Sequence, residues 1–380
     1  MRILLVSHGY PPTFGGVETY LWDLSHELVR RGHDVVCLVG GQTSSERTGG
    51  VLVERRPELT VAWLCALHAG EATWHPKAAA RDRLVSIVEP VVSDFSPDVV
   101  HIQNGHHFAP ELAEALFERK RAPILNGVHD HIGNSVYPET LAWPWAFTLF
   151  ASEYLRAHLP APSGPARVLK LGIDLQHFSA SGPRNARMMG LEPPVIFHPA
   201  RLLRWKGVHV GLDAFIKVRH ELGRGTLVLC DAKRVVDDQR EIERYRDELV
   251  QTARAAGVYD AVLFLDIPRA TIGDAYRASD LVWYPTVDQE PYGLVPLEAM
   301  ACGIPLVVSR SGGMQETVVD GVTGLTVPCG DDEALALAAL RLTRDRAYAE
   351  RLVHAATRHV RDYDVRRHVG DVEAVYEEVA

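Results

Sequence analysis

Two Rossmann-like halves, each a doubly wound parallel sheet layered with helices, make up the α/β fold class that this 380-residue chain predicts. Three observations predict it. Short apolar runs alternate with amphipathic segments from end to end, which is a βαβ rhythm. The rhythm halts near residues 172–193, where Gly172, Gly182, Pro183, Pro193 and Pro194 punctuate a linker, and then restarts. The length exceeds one ordinary domain and suits two.

The elements follow in order. Ile3–Val6, Val35–Val39 and Val99–Ile102 read as strands buried on both faces, as parallel strands are. Between the first two, Val17, Tyr20, Leu21, Leu24 and Leu28 recur at helical spacing, and Gly32 ends the helix. Ile124–Val128 and Val168–Leu171 continue the strand series. The second half supplies Val195–His198, Leu227–Cys230, Val262–Leu265, Leu281–Tyr284, Leu306–Val308 and Leu325–Val327. From Asp362 a final helix is expected. The domains are set at 1–175 and 190–360, with a helix over 361–380 packing back toward the first. Ligands bind beyond the carboxyl ends of strands in open α/β sheets. The functional candidates are therefore residues that follow strands and face a cleft between the halves.

Composition excludes several classes. Hydrophobic residues at 47% and charged residues at 23% are the balance of a globular protein, not a disordered one. A net charge of -9 opposes nucleic-acid binding, which needs a basic face. The five cysteines, Cys37, Cys65, Cys230, Cys302 and Cys329, show no C-x-x-C spacing, so no zinc or redox motif is signalled. Few, scattered cysteines and no signal peptide or membrane span point to a cytoplasmic protein.

Four motifs stand at strand ends. Gly15-Gly16 closes the loop between the first strand and helix, where amides at a helix N-terminus can meet an anion; a plain turn is the alternative. No G-x-G-x-x-G occurs, which disfavours nicotinamide and flavin cofactors. Arg201 and Lys206 follow the first strand of the second half and can neutralise a diphosphate, unless they lie on a solvated face. Glu290-Pro291-Tyr292-Gly293-Leu294-Val295-Pro296-Leu297-Glu298 is the strongest signal. Pro296 belongs in a first helical turn, so the helix starts near Gly293 or Leu294 with its amides facing a phosphate. Glu298, among apolar neighbours, needs hydrogen-bond donors such as ribose hydroxyls, and Glu290 can meet sugar hydroxyls. A capping or core-network role is the alternative for either. His129-Asp130-His131 directly follows the strand ending at Val128, with no third ligand at metal spacing.

These residues resemble glycosyltransferase family four, the retaining group-one enzymes of the GT-B fold. The resemblance rests on Gly15-Gly16-Val17-Glu18, Arg201-x4-Lys206, Glu290-x7-Glu298 and Ser311-Gly312-Gly313 with Glu316, Gly321 and Gly324. It covers about Ser7 to Pro328. It implies that Arg201 and Lys206 hold the donor diphosphate, aided by amides at Gly16, Gly293 and Leu294. It implies that Glu298 binds the ribose, that Glu290 contacts the transferred hexose, and that His129 lies by the reacting centre. It implies a nucleotide diphosphate sugar, a UDP-sugar favoured, as co-substrate, with no metal and no other cofactor. Two departures touch the donor side: Cys230-Asp231-Ala232-Lys233 replaces a common Gly-x-Gly turn, and a glycine common near Asp266 is missing. The only Asp-x-Asp, Asp362-Tyr363-Asp364, reads as a solvated face of the tail helix.

The expected acceptor is a small soluble hydroxyl compound, since residues 1–171 carry no basic helix and Arg119-Lys120-Arg121 reads as a solvated helix end. The opening also resembles antibiotic-pathway enzymes acting on aminocyclitols such as 2-deoxystreptamine, and an acidic protein suits a cationic acceptor. Asp130 and His131 are the acceptor-side candidates; Trp143-Pro144-Trp145 fits core packing better. The rivals are a nucleotide-sugar epimerase, a lipid- or polysaccharide-directed transferase, and a sugar-nucleotide-binding protein without turnover.

Overall fold

Every residue of Ile3–Ser7 is buried, and a strand shielded on both faces needs helices above and below it. The computed structural model shows that arrangement twice. It describes the whole chain apart from residues 14, 68–77, 106–109, 120–121, 131–137 and 233–238, and apart from the side chains of residues 64, 65, 67, 78, 110, 119, 138 and 139. His131, Lys120, Arg121 and Lys233 therefore lie outside the described residues. The chain forms two compact units, Met1–Gly172 with Val365–Ala380, and Ile173–Asp364.

The first unit carries β1 (Arg2–Ser7), β2 (Asp34–Gly40), β3 (Ser44–Thr48), β4 (Val51–Arg56), β5 (Val99–Gln103), β6 (Ile124–Val128), β7 (Phe147–Phe150) and β8 (Ala166–Val168). Their order is β3-β4-β2-β1-β5-β6-β7-β8, parallel except between β3 and β4. Val6 pairs with Leu38 on one side and Ile102 on the other. The order reverses at β1, so the loop after β1 lies at the switch point where such sheets bind ligands. The helix Gly16–Arg30 buries Tyr20, Leu21, Leu24 and Leu28, and Gly32 ends it at φ +88°.

Four strands, β3, β4, β7 and β8, differ from the sequence reading. The β3–β4 hairpin turns at Gly49-Gly50, and its outer strand is almost wholly exposed and polar, so no apolar run marks it. β7, Phe147–Phe150, is only four residues long and is absent from the sequence reading. The edge strand is Ala166–Val168, not Val168–Leu171, because pairing with β7 ends at Phe150.

The last helix, Val365–Val379, belongs to the first unit. Its buried face is Val365, Val369, Val372, Val375 and Tyr376. His368 bonds through Nδ1 with the Lys170 carbonyl at 2.9 Å and through Nε2 with the Tyr20 hydroxyl at 3.1 Å. His101 Nδ1 bonds with the Tyr376 hydroxyl at 2.7 Å. The Asp-x-Asp pair precedes this helix rather than lying in it: Asp362 is in the turn Val360–Tyr363, and Asp364 bridges to Ile173 in the second unit.

Burial pushes the His101 imidazole down to about 3, with His368 adding to the shift. Burial likewise lowers His368 to about 4, against the opposing Lys170 carbonyl. Both are neutral in the fold, while the unfolded chain takes up protons near pH 6.5. The unfolded state thus binds more protons below that pH. The stability they contribute is present above about pH 6.5 and is lost progressively toward pH 3–4. Thermal melts between pH 7 and pH 4 are expected to show a loss on the order of a few kcal/mol, and His368→Gln is expected to flatten that slope.

The second unit carries β9 (Val195–His198), β10 (Thr226–Cys230), β11 (Val262–Leu265), β12 (Leu281–Tyr284), β13 (Leu306–Ser309) and β14 (Leu325–Val327), all parallel in the order β11-β10-β9-β12-β13-β14. Its core gathers Ile196, Phe215, Leu227, Trp283, Val307 and Leu335. The stretch read as a linker is packed onto this unit: Phe178 is buried against Tyr276, and the Pro183 carbonyl accepts from Arg277 Nε at 2.7 Å. Among the described residues, no helix is long and apolar enough to cross a membrane.

Candidate active site

At the carboxyl end of β9 the chain passes through Pro199-Ala200 to Arg201, makes a 3-10 turn at Arg204–Lys206, and enters the helix Val208–Leu222. Gly207 joins turn to helix at φ +68°, and a Cβ there would come 1.7 Å from the Pro285 carbonyl oxygen. Val287 N–H donates to the Trp205 carbonyl at 2.9 Å. The turn is thereby pinned against the end of β12, and Lys206 is pinned with it. Gly207→Ala is expected to destabilise the protein by about 2 kcal/mol or more, since left-handed strain and a backbone clash add. Urea unfolding measures this directly.

Lys206 is buried, and so is Glu290. Lys206 Nζ donates to Glu290 Oε2 at 2.7 Å and also to the Tyr284 hydroxyl. The Tyr284 hydroxyl in turn donates to Glu290 Oε2 at 2.7 Å. The ammonium stands 3.6 Å from the Trp205 ring centroid, a cation–π contact. Burial first, then the Glu290 charge, keeps the Tyr284 phenol protonated, while the nearby Arg201 charge pulls the other way. Arg201 is half-buried and acts on the same cluster.

The Ser311-Gly312-Gly313 run explains how Glu290 is held. Glu290 N–H donates to Ser311 Oγ at 2.7 Å, and Ser311 Oγ donates to the Asp288 carbonyl at 2.7 Å. Gly313 N–H donates to the Glu290 carbonyl at 2.8 Å. A Cβ on Gly312 would lie 2.2 Å from that carbonyl oxygen, so the two backbones can touch only at glycine.

The helix Leu294–Ala301 begins where Pro296 requires, and no side chain caps its N-terminus at Gly293. The amides of Leu294 and Val295 are left for another acceptor. Glu298 is buried one turn inside, and its Oε2 accepts from the Tyr276 hydroxyl at 2.6 Å. Tyr276 comes from the helix Arg269–Arg277 and packs edge-on against Phe197.

The first unit places its candidates around the ends of β1 and β6. Gly16 opens its helix with no side-chain cap at Gly15. His129 N–H donates to Asn104 Oδ1 at 2.7 Å, and His129 Nε2 bonds with Gln103 Oε1 at 2.7 Å. The Tyr20 ring lies 4.7 Å from the His129 ring, so the first helix and His129 touch. Asp130 is half-buried beside it. Trp145 is a core residue whose Nε1 donates to the Thr140 carbonyl.

The structure thus brings Lys206 and Glu290 into direct contact, sets Arg201 near them, and lines Gly293, Leu294 and Glu298 along one helix start. Of the departures, Asp231 is buried and paired with Arg246 at 3.1 Å, and Asp266 is exposed. Sequence reading missed Tyr284, Tyr276, Trp205 and Gln103. Tyr284 and Gln103 each end a strand, which is the one signal that marks them.

Two Rossmann-like units, the second with a buried cation–carboxylate cluster at its strand ends, make up the GT-B architecture. The chain resembles HepE from Anabaena, solved in complex with UDP and glucose, with a TM-score of 0.77 at 20% identity over 100% of both chains. Residues 186–359 match the family described as Glycosyl transferases group 1, and residues 14–177 match Glycosyltransferase Family 4. The phosphatidyl-myo-inositol mannosyltransferase of Mycobacterium leprae is 35% identical over 382 residues, 96% of this chain and 94% of the relative. The GDP-mannose-dependent alpha-(1-6)-phosphatidylinositol monomannoside mannosyltransferase of Mycolicibacterium smegmatis is 28% identical, over 90% of this chain and 89% of the relative. This chain belongs to the group 1, family 4 glycosyltransferases and is an enzyme that uses a nucleotide sugar.

Proposed function

We propose that this enzyme moves a hexose or amino-hexose, with retention and without a metal ion, from a nucleotide diphosphate sugar to a hydroxyl of a small soluble cyclitol, an aminocyclitol foremost. The observation that carries the donor half is the buried Lys206–Glu290–Tyr284 cluster with Arg201 beside it. Arg201 and Lys206 together outweigh the one charge of Glu290, which leaves positive charge for the diphosphate. The uncapped start of the helix Leu294–Ala301 adds amide donors. Glu290 offers its second oxygen to the hexose, and Glu298, held by Tyr276, offers one to the ribose. The departing phosphate oxygen takes the acceptor's proton on the face where the new bond forms, so no carboxylate nucleophile is needed. His129 is assigned to the reacting centre and Asp130 to the acceptor, and the Gly16 amide helps hold the donor diphosphate.

A UDP-hexose is the proposed donor, UDP being the nucleotide in the HepE complex of the same fold. GDP-mannose is the second reading, favoured by the GDP-mannose-dependent relative. The inositol-bearing names of both mycobacterial relatives favour a cyclitol ring as acceptor. A screen of UDP-, GDP- and dTDP-sugars against polyols, amino sugars and lipids, read by mass spectrometry, tests donor and acceptor together. An α-linked product from an α-linked donor, read by NMR, is the retaining result; a β-linked product refutes it. Epimerised donor with no transfer identifies the rival class.

A further inference from the structure

Gln103 is the last residue of β5 and is fully buried. The parallel register sets it opposite Gly127, two residues before His129. Its Oε1 lies 2.7 Å from His129 Nε2. A Cβ on Gly127 would come 2.7 Å from Gln103 Oε1 and 2.9 Å from His129 Nε2, so the glycine is the room this contact needs. His129 is pinned a second time through its backbone, whose N–H donates to Asn104 Oδ1 at 2.7 Å. Asn104 stands in the left-handed region at φ +53°, a place asparagine tolerates better than most residues.

The other end of the Gln103 amide contributes nothing comparable. Among the described residues, Nε2 is buried with no hydrogen-bond partner. An orphaned buried donor costs stability. What the side chain keeps is its acceptor on the imidazole. An amide oxygen can only accept, so the proton of that bond sits on His129 Nε2. The amide is also neutral. It fixes one proton without drawing a second, as a carboxylate in its place would.

We propose that Gln103 is a positioning residue of the transfer reaction, one that holds the His129 imidazole in a single orientation as its neutral Nε2–H form. This rests on the reading that His129 stands by the reacting centre. The sugar's anomeric carbon gains positive charge as its bond to the phosphate breaks, and a neutral imidazole adds none to oppose it. The titratable groups around His129 are Tyr20 on the first helix, His101 on β5 and His368 on the last helix, with Asp130 next in the chain. His101 and His368 are themselves kept neutral by burial.

Gln103→Glu is the cleanest change, because the atom it exchanges is the one without a partner. Gln103→Met keeps the length and removes the acceptor. Nitrogen NMR of the histidine-labelled full chain, with the His129 signal assigned from His129→Gln, reads tautomer and titration. Release of nucleotide diphosphate from UDP-glucose or GDP-mannose gives kcat against pH on the same samples, and thermal melts confirm folding. The expected wild type carries its proton on Nε2 near neutral pH. Gln103→Glu is expected to raise the His129 titration by about one pH unit or more, and the acidic limb of kcat moves up with it. Gln103→Met is expected to mix the tautomers and lower kcat about tenfold, the value of one hydrogen bond, with little change in donor KM. A wild-type proton on Nδ1 overturns the proposal, and so does a His129 titration that does not move in Gln103→Glu. If Gln103→Glu does not fold, Gln103→Met decides alone, and a single Nε2–H form retained there counts against the assignment. A titration that moves while the kcat profile stays put upholds the pairing and refutes the place of His129 at the reacting centre, so the two fail separately.

Discussion

Lys206→Ala is expected to lower kcat/KM by about 10²–10³-fold, the scale for removing one fixed charge-stabilising donor from a transition state. The reason is local. Nζ is held by Glu290, Tyr284 and the Trp205 face, so its position is set before any donor arrives. Alanine removes that charge and leaves the Glu290 carboxylate buried with one phenol donor. Breaking a buried pair this way costs about 3–5 kcal/mol, so the variant is also expected to melt earlier. Lys206→Arg is not expected to restore activity. The larger planar fork does not reproduce the compact ammonium's hydrogen bonds to Glu290 and the Tyr284 hydroxyl. Steady-state kinetics with urea unfolding of the same samples separates the two losses. Unchanged kcat/KM in Lys206→Ala contradicts the assignment.

Glu298→Ala is expected to weaken donor affinity by about tenfold or more, the value of a hydrogen bond to a charged group. Glu298 is buried, and one of its oxygens is taken by Tyr276. The proposed ribose contact is made by this carboxylate. Tyr276→Phe is the control. It keeps the carboxylate and loses only the bond that orients it, so a smaller loss is expected. Calorimetry with the nucleotide alone reads both. Full donor affinity in Glu298→Ala refutes the ribose role.

Much of the fold was legible because parallel strands are buried on both faces and appear as unbroken apolar runs. Ile3–Val6, Val99–Ile102 and Val195–His198 are such runs, and each is a strand. β3 was not legible. It is a polar edge strand, and its partner's pairing, not its own hydropathy, makes it a strand. In the candidate site, the residue types at strand ends were visible, and Pro296 fixed the start of its helix. The pairing of Lys206 with Glu290 was not, since 84 residues separate them and only the neighbouring of β9 and β12 brings them together. Tyr284 and Tyr276 were invisible for another reason. Each reads as an apolar core residue, and only its hydroxyl, aimed at a carboxylate, gives it a part in the site.

On the proposed reading, fixed side-chain cations and a helix end hold the donor's diphosphate in place of a divalent ion. Titrating the nucleotide-sugar donor into the enzyme by calorimetry, once in excess EDTA and once in magnesium, tests it most directly. The expected result is the same affinity in both. Binding that vanishes in EDTA and returns with magnesium contradicts it.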